Sequence, residues 1–253
     1  MSVFEIVFSP TGGTEKVSCL VAGALDKNTV TVDLTDSGLD FHGVSMAKGD
    51  VAVISVPSYA GRVPAVAVER LGMVRGNGAR AVLVCVYGGR AFEDTLIELE
   101  DVAKRAGFRV VAAVSAIAEH SVARQFAAGR PDAQDVAQLS EFAQRIRQKL
   151  LDGAASEPSI PGNRPYKQAG GHSMVPHATE DCVSCGACAA LCPVRAIDKD
   201  DPRQVDGEAC ISCMRCVSVC PQNARKLDPN KLAAVTQMLS KACVERRECE
   251  IFI

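Results

Sequence analysis

Apolar residues over the first 150 positions follow two alternating rhythms. Short apolar runs at Val3–Phe8, Thr29–Leu34, Asp50–Val56, Arg80–Val86 and Phe108–Ile117 predict strands. Several of them are apolar at nearly every position, as strands buried on both faces are. Between them the apolar positions recur with a helical period, near Thr14–Leu25, Pro64–Met73 and Ala91–Ala106. A last helical pattern, Pro131–Leu151, opens on a proline and carries alternating charges. Strand–helix alternation of this length predicts an α/β fold, with a five-stranded parallel sheet covered by helices on both faces.

The rhythm stops at Asp152. From there to Pro176 the chain holds four prolines and four glycines and no periodicity. This predicts a linker, either a boundary or an extended tether. A cysteine-rich unit follows, then a short helix from about Asp228 and a tail ending Glu-Ile-Phe-Ile. The expected organisation is 1–152, an α/β domain; 153–176, a linker; 177–227, a small cysteine-rich α+β domain; and 228–253, a helix and tail.

Charge narrows the partners. The 28 basic and 30 acidic residues nearly cancel, so bulk electrostatics suggest neither nucleic acid nor an anionic membrane surface. No stretch approaches the ~20 apolar residues of a membrane helix. Met1–Phe8 has no basic start and no long apolar core, so it does not read as a signal peptide. The expected location is the cytoplasm. Thiols stay reduced there, and the twelve cysteines point to metal or redox chemistry rather than disulfides.

Eight of those cysteines form an internal repeat. Cys182-Val-Ser-Cys-Gly-Ala-Cys-Ala-Ala-Leu-Cys-Pro193 recurs 28 positions later as Cys210-Ile-Ser-Cys-Met-Arg-Cys-Val-Ser-Val-Cys-Pro221. Each copy reads C-x2-C-x2-C-x3-C-P. A pair of structural zinc sites is the plainer alternative, but zinc needs only C-x2-C pairs, and two complete four-cysteine runs ending in proline exceed that. Cys19, Cys85, Cys243 and Cys249 lie outside the runs and read as ordinary apolar thiols.

The runs resemble those of bacterial two-cluster ferredoxins over about fifty residues. The resemblance implies two [4Fe–4S] clusters, with the fourth cysteine of each run crossing to the other cluster. Cys182, Cys185, Cys188 and Cys220 would hold one cluster, and Cys210, Cys213, Cys216 and Cys192 the other. Pro193 and Pro221 would turn the chain after each crossing cysteine, and Val183, Ile197 and Ile211 would shield the clusters.

A second motif follows the first strand. Ser9-Pro-Thr-Gly-Gly-Thr14 leads into a helix, whose first N–H groups favour an anion. The loop holds no Lys or Arg, so it is not a Walker loop, and it lacks the spacing of the dinucleotide fingerprint. Thr14 also suits the helix N-cap. The loop resembles the phosphate loop of flavodoxins, [S/T]-x-T-G-x-T, at every defined position. This implies a flavodoxin-like doubly wound fold and FMN, its phosphate held by Ser9, Thr11, Gly12, Gly13 and Thr14. In such a sheet the ligand sits beyond the carboxyl ends of the strands. Those ends are Pro57–Pro64 and Tyr87–Phe92. By the same resemblance Ser58, Tyr59, Ala60, Gly61, Tyr87, Gly88, Gly89 and Arg90 would meet the flavin ring. Tyr59 or Tyr87 would stack on it, and Arg62 or Arg90 would lie near its pyrimidine edge. The acidic residues and the Trp usual around that ring are missing. His120, after the fifth strand, is a candidate proton donor or an ordinary loop histidine.

Together these features resemble the flavodoxin–ferredoxin fusion proteins of anaerobic bacteria and archaea. The resemblance implies electron transfer between two [4Fe–4S] clusters and FMN, linking a redox-protein donor to an acceptor. A flavoenzyme reducing a small molecule at FMN, and a ferredoxin on a flavin-free docking scaffold, are the alternatives. No nicotinamide fingerprint is present. The cysteine-rich unit is expected to dock near the flavin edge, with the linker letting it swing.

Overall fold

A computed structural model describes residues 2–153, 156–170 and 174–253. Met1, the linker residues 154, 155, 171 and 173, and His172 lie outside the described residues. The first part carries β1 (Val3–Val7), α1 (Gly13–Leu25), β2 (Thr29–Asp33), β3 (Val51–Pro57), α2 (Ala65–Met73), β4 (Arg80–Tyr87), α3 (Thr95–Arg105), β5 (Arg109–Ile117) and α4 (Ala133–Leu151). The cysteine-rich part holds β6 (His177–Ala178), α5 (Ala187–Ala190), α6 (Arg215–Ser218) and β7 (Arg225–Lys226); α7 (Pro229–Ala242) and β8 (Glu250–Phe252) follow.

The main sheet has the order β2-β1-β3-β4-β5-β8. Its first five strands are parallel, in the 2-1-3-4-5 order of flavodoxin-like folds. The continuous apolar runs of β3, β4 and β5 are buried along almost their whole length, since helices cover both faces. One core, around Ile54, Leu83 and Leu99, lies under α2 and α3. The other, around Val17, Val53 and Ile146, lies under α1 and α4.

A sixth strand adds to the predicted five. β8 pairs antiparallel with β5 through Ala113↔Phe252, Val114↔Ile251 and Ser115↔Glu250. Pairing covers the edge that β5 would otherwise leave open. Arg246 fastens the tail to Asp132 (2.7 Å), at the start of α4. The carbonyl of Arg247 accepts from Arg130 (2.7 Å).

Residues 163–167 of the linker are strapped to α3 and the residue before it. Asp94 accepts from the N–H groups of Asn163 (2.8 Å) and Lys167 (2.7 Å). Arg164 forks onto Asp101 (2.8 and 2.6 Å) and reaches Glu100 (2.9 Å). Tyr166 donates to Asp101, and its ring lies under the guanidinium of Arg62 at 4.9 Å. The strap leads the chain along α3 to the carboxyl ends of the strands, where the cysteine-rich part sits.

Candidate functional site between the two parts

The loops at the carboxyl ends of β1, β3, β4 and β5 surround a cavity of about 340 Å³. That lies at the small end of the roughly 300–1,000 Å³ range of cofactor sites. Thr11, Gly13 and Thr14 line it from the first loop, Ser58, Tyr59, Ala60 and Gly61 from the second, Tyr87, Gly88 and Arg90 from the third, and Ala118–Val122 from the fourth. Ser9, Gly12 and Gly89 are not among the lining residues. Ser9 Oγ accepts the N–H of Glu15 (2.9 Å), which fixes the loop to the first turn of α1. That helix starts one residue earlier than expected. Gly12, at φ +85°, takes the cap position in the left-handed region, and Thr14 falls within the first turn. The N–H groups of Gly12, Gly13 and Thr14 have no partner among the described residues, and an anion would use them.

The ring-loop candidates separate into two groups. Tyr59 and Arg62 exchange backbone hydrogen bonds (2.9 and 3.1 Å) across Ala60 and Gly61, both at positive φ. This tight turn presents its backbone to the cavity. Burial holds the Tyr59 hydroxyl well above its usual range, and the nearby Cys213 adds to the effect. Arg62 turns away: it forks onto Glu98 (2.7 and 2.7 Å) and reaches the Lys167 carbonyl. Arg90 stays in the wall, paired with Glu93 (2.9 Å). The Tyr87 ring is packed edge-on against Phe92, with centroids 5.6 Å apart.

His120 is also in the wall. Its Nδ1 accepts from the N–H groups of Val122 (3.2 Å) and Ala123 (3.1 Å). Both donors point at Nδ1, so the ring proton sits on Nε2. Burial, with the Arg90 charge, lowers the pKa of the imidazole.

Several wall residues come from segments that carried no signal for this cavity in the sequence. Gly170 and Met174 belong to the linker region, Ile211 and Ser212 to the second cysteine run, and Val235, Met238 and Leu239 to α7. The spacing 232, 235, 238, 239 marks an apolar helix face but not what it covers. The hydroxyl of Ser212 is buried with no partner among the described residues.

The eight cysteines gather into two cups. Cys182, Cys185, Cys188 and Cys220 line one, with Pro202, Pro221 and Arg225. Cys192, Cys210, Cys213 and Cys216 line the other, with Ile197, Met214 and Arg215. The fourth cysteine of each run thus stands in the other run's cup. Among the described residues no three His, Cys, Asp or Glu are drawn together closely enough for a single metal ion. Ser184 and Gly186 in the first run, and Ser212 and Met214 in the second, have positive φ. Such residues turn successive N–H groups toward a common anion. The repeat also keeps its N–H···S bonds: Ala196 N–H to Cys192 Sγ (3.3 Å) and Ala224 N–H to Cys220 Sγ (3.2 Å). Burial pushes the Cys213 thiol up to about 11 and the Cys216 thiol up to about 12.

Three arginines join the cysteine-rich part to the loop after β2. Arg70 donates to the carbonyls of Leu34 (2.7 Å) and Pro193 (2.6 Å). Arg195 donates to the carbonyl of Ser37 (2.6 Å), and Arg215 to Thr35 Oγ1 (3.0 Å).

Residues 174–221 match the family model of the 4Fe–4S dicluster domain. The chain is similar to the solved flavodoxin of Streptococcus pneumoniae TIGR4, with 20% identity over 58% of this chain and 99% of that one, at a TM-score of 0.42. Oxidised flavodoxin 2 from Bacillus cereus gives 16%, 59%, 99% and 0.44. Rubredoxin:oxygen oxidoreductase from Desulfovibrio gigas gives 14%, 61%, 37% and 0.42. No curated protein sequence matches. The strand order and the cysteine-rich region define a flavodoxin-like α/β fold joined to a 4Fe–4S dicluster domain, a combination belonging to electron transfer. No helix among the described residues is long and apolar enough to cross a membrane.

Proposed function

We propose that this chain carries electrons between redox proteins through two [4Fe–4S] clusters in the cysteine cups and FMN in the cavity between the parts. One observation carries the reading. Ile211 and Ser212, which lie between Cys210 and Cys213, share a cavity wall with the phosphate-type loop and both ring-type loops. The cup of Cys192, Cys210, Cys213 and Cys216 is therefore the one beside the flavin site, and the order is outer cup, inner cup, flavin.

The residues suit these groups. Four thiols set around a space fit a cubane better than a zinc ion, which would draw its ligands to ~2.3 Å from one point. The α1 terminus and its hydroxyls suit a phosphate. Gly61 and Gly88 let the loops close tightly around the cavity, since a Cβ at either would fall within 2.5 Å of Glu93 or His120, at 1.8 and 2.4 Å. When bound, the clusters supply single electrons and the flavin takes one or two. The chain's own part is to place them, exclude water and hold the Nε2 proton of His120 at the cavity wall. Ile211, Val235, Met238 and Leu239 add apolar side chains to that wall, which favours a carrier over an enzyme with an open substrate pocket. The redox donor and acceptor would then be proteins.

The test is anaerobic purification with measurement of iron, sulfide and released flavin. The expected result is about eight iron, about eight sulfide and one FMN per chain. Cys220→Ser should cost the cluster of the first run, leaving about four iron. Zinc in place of iron would end the cluster assignment. Full iron with no flavin after added FMN would leave a dicluster domain on a scaffold.

A further inference from the structure

The 28-residue repeat sets Ile197 and Arg225 at equivalent positions, five residues after Cys192 and Cys220. Each lines a cup. Ile197 is the apolar choice expected beside a shielded cluster. Arg225 is not: it is a guanidinium only 2% exposed. It donates to the carbonyls of Pro202 and Pro176, the latter at 3.5 Å, and its Nη2 also lies 3.5 Å from Cys188 Sγ. Its Nε–H is buried with no partner among the described residues. Among the described residues no carboxylate pairs with it, and none lines the cup. A buried cation without a counter-charge is heavily penalised, and a buried N–H without an acceptor adds to that cost. The charge cost is offset if the cup holds an anion, and a cubane bound by four thiolates is one.

We propose that Arg225 is the built-in counter-charge of the outer cup, donating toward Cys188 and the bound cluster and raising that cluster's reduction potential. This inference rests on the cluster reading above. Reduction adds one electron from a redox partner and neither forms nor breaks a bond. It makes the cluster more negative by one charge, and a fixed cation beside it stabilises the reduced form. Ile197 gives the inner cup no charge at the equivalent position. There Arg215 enters the wall from a different place: its Nη1 donates to Thr35 and Ser9 of the other part, while its Nε–H, like that of Arg225, is buried with no partner among the described residues.

The experiment compares the full chain with Arg225→Ile, the residue that the repeat itself uses, and Arg225→Lys. Iron and sulfide are measured first, then the two cluster potentials by an anaerobic titration followed by electron paramagnetic resonance. With full iron, Arg225→Ile should move one potential to a lower value and leave the other in place, while Arg225→Lys stays near the parent. Loss of about half the iron in Arg225→Ile but not in Arg225→Lys would also support the counter-charge. Full iron with both potentials unmoved, or equal behaviour of the Ile and Lys variants, would overturn it. A parent chain without iron would instead overturn the cluster reading.

Discussion

Arg70, on α2 of the flavodoxin-like part, donates to the carbonyl of Pro193, the residue directly after Cys192 of the inner cup, at 2.6 Å. Its other terminal nitrogen donates to Leu34 (2.7 Å), and its guanidinium lies 5.6 Å from the centre of the Phe41 ring. One side chain thus fixes the inner cup against the sheet whose loops form the proposed flavin site.

Arg70→Ala should loosen that docking. A hydrogen bond to a charged group is worth about 1.5–3 kcal/mol, and two are lost. In the loaded protein, electron transfer between clusters and flavin should slow, as followed by rapid-mixing reduction. Arg70→Lys keeps the charge but not the fork, and should fall between the two. An unchanged rate in Arg70→Ala would mean that Arg195 and Arg215 hold the parts together without it.

Gly61 and Gly88 mark where the chain comes closest to itself around the cavity. At Gly61 a Cβ would lie 1.8 Å from Glu93 Oε2, with the backbone at φ +83° besides. At Gly88 it would lie 2.4 Å from His120 Cδ2. Gly61→Ala and Gly88→Ala should each weaken FMN binding by at least about tenfold, ~1.4 kcal/mol, in a flavin fluorescence titration. Iron content should be unaffected. Gly23 is the control: it lies within α1, and a Cβ there meets nothing within 4 Å. Gly23→Ala should stabilise the chain by roughly 0.5–1 kcal/mol and leave binding alone. Equal FMN affinity in all three variants would remove the cavity from the flavin reading.

Much of this arrangement was legible because the signals were local. The apolar runs at 50–56 and 80–86 read as strands buried on both faces, and strands stand there. The 28-residue repeat brought with it the crossing of Cys192 and Cys220. What stayed hidden depends on residues far apart in the chain. Nothing near Arg62 announces Glu98, 36 positions away, as its partner. Asp94 and Asp101 look like solvated charges on a helix until the strap at 163–167 lands on them. The three residues of β8 are too few to show a strand period. Their partner strand, β5, reads the same with or without them.

His120 gives the cavity a pH dependence. Its pKa is lowered in the fold, chiefly by burial, while an unfolded histidine titrates near ~6.5. Below that value the unfolded chain binds more protons than the folded one, so the stability owed to neutral His120 is present above pH ~6.5 and is lost as pH falls. Protonation would also put a hydrogen on Nδ1, where Val122 and Ala123 now donate. His120→Gln cannot titrate. The melting temperature of the parent relative to His120→Gln should therefore drop on going from pH 7.5 to 5.5, by a few degrees for each kcal/mol involved. A constant difference across that range would show that the imidazole does not titrate against folding.

Leu239 decides between a covered flavin and an open one. It is 2% exposed and reaches the cavity from α7, a helix that lies far along the chain from every loop around it. The helix is capped by Asp228, which accepts from Asn230 (2.8 Å) and Lys231 (3.0 Å), and after it the chain is secured by β8. If this cover belongs to a carrier, the flavin meets electrons through the inner cup and meets small molecules poorly. Leu239→Ala should cost about 2–4 kcal/mol of stability, as emptied core positions do. It should also speed reoxidation of the reduced flavin by oxygen. Removal of residues 229–253 should enhance that effect, and it would weaken flavin retention because the wall formed by Val235, Met238 and Leu239 goes with them. If oxygen and small dyes already react at full speed with the parent, and Leu239→Ala changes nothing, the cover does not shield the flavin. A ring open to small acceptors is what a reductase requires, so that result would move the reading from carrier to enzyme.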